Sequence, residues 1–501
     1  MALEKIINSL KNTGKMLGKA SAKAGLCALL HFGMPTSDAK SADIYVTNDY
    51  PTIQQAIDAS GSNDTIHVQA GKYHENLTID NKFLNLVGSG TNDCTIYSTI
   101  NTQPLINIIG PAGVRVSNLH INGGTNWISG NNYWGGTAKG IVATNANLTL
   151  NNLILNQFFN YVVTAIDSTL DANDINMFTQ TYYTDVCDIG FSVKGAKARI
   201  NNLKQERGWI DHTIDINNNA DSSHSDVIVE NSTIRANTRY YGDCIRTLCN
   251  SDLIVSNCYL YRIPGGQPIR VPTHTGVGVM GSSNNVVIVD NVIDGVPQGI
   301  FCDGRDGIPP SGNQGNKIII ERNEIKNCET NGVWINDLDY AGVDIGGGPF
   351  GSRGENTFSH TNPPSYYTDV KFVKQQTDST ANIFALNNTW TGGTANKESY
   401  IYDKLDNPIL GRLITDTFEM KSPSIDGNGK HVLKWNEQGA GGKYYVYEND
   451  NLMNPTNWAL VSPTNQWPKT NSSLTADNIW TNTYDSGTNN VKFYKINSIV
   501  P

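Results

Sequence analysis

After residue 60 the apolar residues alternate with polar ones in short β-branched runs, and most runs end at an asparagine. The pattern reads VRVSNLHI at Val114–Ile121, LTLNNLIL at Leu148–Leu155 and VIVENSTI at Val227–Ile234. It returns as LIVSNCYL at Leu253–Leu260, VVIVDNVI at Val286–Ile293 and IIIERNEI at Ile318–Ile325, with weaker copies at Thr169–Ile175 and Ala198–Leu203. The asparagines at 118, 152, 173, 202, 231, 257, 291 and 323 are separated by 21 to 34 residues. One dependable strand per unit, with variable material between strands, predicts a β-solenoid. A single rung cannot bury its alternating apolar face alone; stacking it on similar rungs can. The asparagine suits a turn because it tolerates a left-handed backbone, and stacked amides can pair along the solenoid.

Composition adds bounds. With 47 Gly and 17% charged residues in 501, the chain reads as turn-rich and all-β, long enough for one solenoid and a smaller module. Formal charge is −9; residues 1–42 carry six Lys, one Asp and one Glu, a net +4, so the remainder carries −13. An acidic body argues against a nucleic-acid partner. Lys5, Lys11, Lys15, Lys19 and Lys23 precede the apolar stretch Gly25–Met34, and Ala39 and Ser41 offer a small-residue cleavage site. That order predicts a secretory signal and hence a secreted or cell-surface protein. No later stretch reaches the apolar length of a transmembrane helix. Eight cysteines include Cys27 in the leader; no C-x-x-C occurs, and Cys244 and Cys249 could bridge across one turn after export.

Family resemblance adds architecture. In Ile44–Gly90, Thr52 caps a predicted short helix running to Ser60, and strands are expected at Thr65–Val68, Leu77–Ile79 and Leu84–Val87. Its PTIQQAI, DTIHV, GKYHENLTI and LVGSG elements resemble the N-terminal cap and first rung of right-handed parallel β-helix proteins of the pectin lyase-like group, pectin methylesterases included. A cap would cover the unpaired edge of the solenoid. VDIGGGPFGSRGENTF (Val343–Phe358) and ESYIYDKLDNPILGRLI (Glu398–Ile414) resemble the terminal turn and chain exit of secreted members, many of them uncharacterised. The expected organisation is a leader at 1–42, a right-handed parallel β-helix at 43–414 and a β-sandwich module at 415–501. Alternation at Tyr444–Tyr447 and Lys492–Ile496 supports that module, with Trp435 and Trp458 as core candidates.

Four groups of residues offer chemistry. Asp243, Arg246, Arg270 and His274 fall on consecutive coils, which stacking could bring together. The GDCI…VSNC string resembles a polygalacturonase stretch, but a single Asp243 stands where that family has paired aspartates, and its G-H-G and R-x-K elements are missing. Inverting hydrolysis needs an acid and a base across a water, so the departure argues against that activity. FCDGRDG supplies Asp303, Arg305 and Asp306, which could bind Ca²⁺ or clamp a uronate, or simply satisfy one another in a turn. Asp337, Asp339 and Asp344 could also ligate Ca²⁺, although the glycines that follow fit a structural turn better. Trp127, Tyr133 and Trp134 lie in a long interval between rungs and could stack on sugar faces, with Tyr240 and Tyr241 extending the platform. No phosphate-binding glycine loop, H-E-x-x-H or nucleophile elbow occurs. The paired-Gln and D-F-x-F-G elements of pectin methylesterases are also missing.

The reading that follows is an exported carbohydrate-active β-helix protein, foremost a polysaccharide lyase on a uronic-acid glycan. Its catalytic candidates are Asp243, Arg246, Arg270, His274, Asp303 and Arg305. A lyase must neutralise the substrate carboxylate and remove the adjacent carbon-bound proton. The alternative is a non-catalytic surface or adhesin protein that binds glycan; a glycoside hydrolase is a weaker one. The partner expected is a polysaccharide or cell-surface glycan, and self-association into a homo-oligomer is left open. Convergence of the named residues in one groove would separate enzyme from adhesin.

Overall fold

The computed structural model describes residues 41–415, except 100–101, 124–125, 129–132, 136–138, 159, 179–186, 208–209, 219–222, 237–241, 263–274, 282, 304–315, 337–340, 374–381, 404–405 and 408–411. Beyond 415 it describes the backbone of seven strands. Residues 41–415 form a right-handed parallel β-helix. Its coils contribute to two long sheets. Sheet A has 21 strands and includes Asp64–Val68, Gly113–Asn122 and Asn147–Asn156; sheet B has 12, from Leu77–Asp80 to Ile401–Tyr402.

Register explains the core. In sheet B, Leu77 aligns with Ile106, Ile106 with Ile141, and so on through Phe191, Val333 and Val370 to Ile401, one buried apolar row along the axis. In sheet A, Leu86, Val116, Leu150, Ala172 and Ile200 make the facing row. At one end the helix Ile53–Ala59 packs Ile53, Ala56 and Ile57 into this core; Thr52 Oγ1 accepts from Gln55 N at 3.2 Å.

The asparagine motif resolves into two structural positions. Sheet A bends at a one-residue corner, and Asn118, Asn152, Asn202, Asn231 and Asn257 occupy it with φ between 49° and 56°. These amides pair across coils, as from Asn152 Nδ2 to Asn118 Oδ1 at 2.8 Å. On three coils the expectation is corrected by one residue: the corner is Asp174, Asp290 or Arg322, not Asn173, Asn291 or Asn323. Asn291 and Asn323 stand one residue later and point inward, where Leu119 and Leu153 stand on earlier coils. There Asn291 N and Nδ2 both donate to Asn323 Oδ1 at 3.0 Å, Asn323 does the same to Asn356, and Asn356 to Asn388. A buried amide position satisfied this way meets the demand that polar groups out of water be paired.

The described cysteine side chains, Cys94, Cys244, Cys249, Cys258, Cys302 and Cys328, are buried thiols. The bridge expected between Cys244 and Cys249 is not formed. Cys244 lies within a strand under its neighbours, whereas Cys249 sits in the left-handed turn after it. Beyond 415, Met420–Ile425, His431–Trp435 and Asn478–Thr481 form one antiparallel sheet. Lys443–Asn449 pairs antiparallel with Ala459–Leu460, Lys469–Thr470 and Phe493–Ile499. Their side chains, Trp435 included, lie outside the described residues, as do Trp458 and the leader. Among the described residues no helix is long and apolar enough to cross a membrane.

Candidate functional site

The outer face of sheet B changes character along the axis. One outward row reads Thr78, Asn107, Val142, Thr164 and Ser192 on the first coils, then Asp215, Arg246, Gly278, Phe301, Trp334, Lys371 and Tyr402. A neighbouring row aligns His212, Asp243, Thr275 and Gln298. Asp243 and Arg246 belong to one strand, Asp243–Leu248, and both rows meet at Gly278, whose missing Cβ would lie 3.6 Å from Asp243 Oδ2.

At the junction the polar groups are closely coupled. Arg246 Nε donates to Asp215 Oδ1 at 2.8 Å; the carboxylate is 2% exposed and the guanidinium 20%. Asp243 Oδ1 accepts from Thr275 N at 3.0 Å and from Thr275 Oγ1 at 2.7 Å. Its Oδ2 lies 3.3 Å from His212 Nδ1. The same nitrogen accepts the backbone N–H of Asp243 at 3.4 Å, an arrangement that leaves the ring proton on Nε2; a proton on Nδ1 would instead face Asp243 Oδ2 and free the Nε2 lone pair. Farther along, Phe301 packs on Trp334 with centroids 5.0 Å apart. Lys371 Nζ lies 5.5 Å from the Trp334 ring centre and 5.9 Å from that of Tyr402, within cation–π range. The Phe301 and Trp334 rings are tilted by 49° to one another. Trp334 Nε1 and Asn336 Oδ1 are buried without a hydrogen-bond partner, a state that native proteins seldom leave unfilled.

Of the expected site residues, the structure brings Asp243, Arg246 and Asp303 to the outside of the same sheet. Asp303 is buried two strands beyond Asp243 and accepts from Asn336 Nδ2 at 3.1 Å. Arg270, His274, Arg305, Asp306, Tyr240 and Tyr241 lie outside the described residues. The segment holding Trp127, Tyr133 and Trp134 is described by backbone only: Asn126–Ile128 and Tyr133–Gly135 pair antiparallel, with Trp127 opposite Trp134. Asp337 and Asp339 are also outside. Asp344 is described, and its two oxygens accept from the N–H groups of Gly346, Gly348, Phe350 and Ser352, which makes it the centre of a structural turn rather than a cation ligand.

His212, Asp215, Phe301, Trp334 and Lys371 were not singled out from the sequence. The signal was available in DHTIDI, Asp211–Ile216, where Asp215 takes a position that aligned coils fill with Val142, Thr164 and Ser192, and His212 one that they fill with Tyr161 and Ile189. Finding it requires aligning rungs on sheet B, whereas the asparagine motif aligns them on sheet A.

One other titratable group stands out, on sheet A. His224 Nε2 lies 3.0 Å from Asp226 Oδ1 and 3.7 Å from Asp252 Oδ2. Hydrogen bonds to Asp226 and then Asp252 push the imidazole up to about 10, while His224 holds Asp226 below its ordinary value.

No protein-family model and no curated protein matches the chain. Solved structures do. The catalytic unit of a GH87 α-1,3-glucanase from Streptomyces thermodiastaticus aligns over 71% of this chain and 70% of its own, at 13% identity and a TM-score of 0.46. PfbA, a surface adhesin of Streptococcus pneumoniae, aligns over 79% of this chain and 99% of its own, at 12% identity and a TM-score of 0.48. A family 28 exopolygalacturonase from Yersinia enterocolitica aligns over 67% and 78%, at 13% identity and a TM-score of 0.40. At such identities the likeness is one of fold, and a fold does not carry an activity with it. By its own strand pairing, the chain has a parallel β-helix fold.

Proposed function

We propose that the protein binds a uronic-acid polysaccharide lengthwise along the outer face of sheet B and cleaves it there by β-elimination. The observation that carries this reading is the junction of the two outer rows. A histidine–aspartate pair and an arginine–aspartate pair are held out of water on adjacent strands, and in the row of Asp215 and Arg246 the earlier coils carry only hydroxyls, an amide and a valine. Buried charge on the outside of a solenoid contributes little to its core and is commonest where chemistry is done. In this role Arg246 and Lys371 neutralise sugar carboxylates, which acidifies the α-carbon. With its ring proton moved to Nδ1, toward Asp243 Oδ2, His212 takes the α-proton on Nε2, the electron pair forms the new carbon–carbon double bond, and the glycosidic C–O bond at the β-carbon breaks. The leaving oxygen then takes a proton from water. Hydrolysis fits less well: Asp243 and Asp215 act as acceptors toward Thr275 and Arg246, and neither is poised to give a proton to a leaving oxygen. A secreted or cell-surface location agrees with a polymeric substrate.

The test is ultraviolet absorbance of the unsaturated product across a panel of uronate polysaccharides, with and without Ca²⁺. Signal abolished in His212→Ala and Arg246→Lys supports elimination. New reducing ends without absorbance point to hydrolysis instead. Retention on a glycan array with neither product makes the protein a glycan-binding adhesin.

A further inference from the structure

We propose that His224, Asp226 and Asp252 form a binding site for a divalent transition-metal cation, of the Zn²⁺ type, on the outer wall of sheet A. Asp226 and Asp252 stand in register on adjacent parallel strands, Ser225–Glu230 and Ser251–Ser256. Two like charges at that spacing repel unless something positive joins them. The residue two positions before Asp226 places its imidazole between them. The three donor atoms all lie within 4.8 Å of one another. Their separations from His224 Nε2, 3.0 and 3.7 Å, bracket the ~3.3 Å expected between neighbouring ligands of a tetrahedral ion with bonds of about 2.0–2.1 Å.

The surroundings hold each ligand by its other heteroatom. His224 Nδ1 lies 3.2 Å from Asn250 Oδ1, so an Nδ1 proton given to that amide turns the Nε2 lone pair toward the carboxylates. Asn285 Nδ2 donates to Asp252 Oδ1 at 2.7 Å and leaves Oδ2 facing the imidazole. Lys197 Nζ lies 3.5 Å from Asp226 Oδ2 and leaves Oδ1 facing it. Ligands oriented by outer partners in this way are characteristic of built metal sites. The donor set also selects the ion. An imidazole with two carboxylates suits Zn²⁺ or Co²⁺, whereas Ca²⁺ wants an all-oxygen shell and Mg²⁺ keeps its waters. All three side chains are partly exposed, at 42%, 37% and 39%, which leaves room for water to complete the shell. The site shares no residue with the sheet B groove, so this inference is independent of the proposed reaction. The bound ion would clamp two adjacent coils.

The experiment uses the full chain, stripped by chelator, and titrates Zn²⁺ by calorimetry and Co²⁺ by visible absorption. One ion per chain is expected, with Co²⁺ absorption bands of a low-coordinate site and an upward shift in Tm with Zn²⁺. His224→Ala and Asp252→Asn, both surface changes, should each abolish the bands. Asn250→Ala keeps all three ligands but releases the ring, and should weaken binding about 10–100-fold. No stoichiometric binding, or binding unchanged in His224→Ala and Asp252→Asn, overturns the site. An equal Tm shift with Ca²⁺ or Mg²⁺ overturns the assignment to a transition metal.

Discussion

The outer walls of sheets A and B are built from the same repeat and meet water in opposite ways. On sheet A the outward row Lys197, Asp226, Asp252, Asn285 and Lys317 is partly exposed, and its charges pair along the surface. On sheet B the corresponding charges are covered: Asp215 is 2% exposed and Asp243 3%. Sheet A turns within itself at a single left-handed residue. Segments of variable length, such as 124–138, 263–274 and 304–315, join one sheet to the other along the sequence. Variable chain flanking a rigid wall is where function concentrates. A solenoid can therefore keep one wall as plain surface and specialise the other, coil by coil.

The comparison can be broken most directly at His212. If the sheet B wall is catalytic, His212→Ala should lower turnover about 10²–10⁴-fold, the usual worth of a general base. His224→Ala on sheet A should leave turnover unchanged; equal losses in steady-state assays would erase the distinction between the walls. Next comes charge burial. Arg246→Ala strands Asp215 without its partner and should cost about 3–5 kcal/mol in denaturant unfolding. Lys326→Ala, which removes a partly exposed pair with Glu324, should cost no more than about 1 kcal/mol.

The two asparagine positions sharpen the same contrast on a smaller scale. Asn323→Leu places the residue of earlier coils in the inner ladder, yet leaves the Asn291 amides without their acceptor, for a loss of about 1–3 kcal/mol. At the exposed corner, Asn152→Ala should cost only about 1–2 kcal/mol for its left-handed backbone, and Asn152→Gly less. The smallest expected effect is with pH. Asp369 is buried, and desolvation raises its carboxyl above the usual range although Thr391 and Tyr367 donate to it. The folded state thus keeps this proton to higher pH than the unfolded chain. Between the two values the native protein binds more protons, so stability falls as pH rises through them. Asp369→Asn should flatten that slope in Tm measured against pH.

Much of the fold is legible in the sequence. Alternation announced the strands, and recurrence at 21 to 34 residues announced the stack. The asparagines marked the corners, but Asn291 and Asn323 carry the same letter one residue out of phase, and only burial separates a corner amide from a ladder amide. For the site, Asp243, Arg246 and Asp303 were visible as polar residues in turn-rich stretches between motifs. His212 and Asp215 were hidden inside a strand, 31 residues before their partners Asp243 and Arg246.

What the chain determines by itself is local: which residues alternate, which can take a left-handed backbone, and that no rung can stand alone. Those preferences act within a few residues, and repetition along the chain is enough to impose the solenoid. Which side chains meet across coils is a matter of register. It depends on the length of each connection, and a change of one residue sends a side chain to the other face. That is why the pairing of His212 with Asp243, and of Arg246 with Asp215, was decided only when the coils closed on one another.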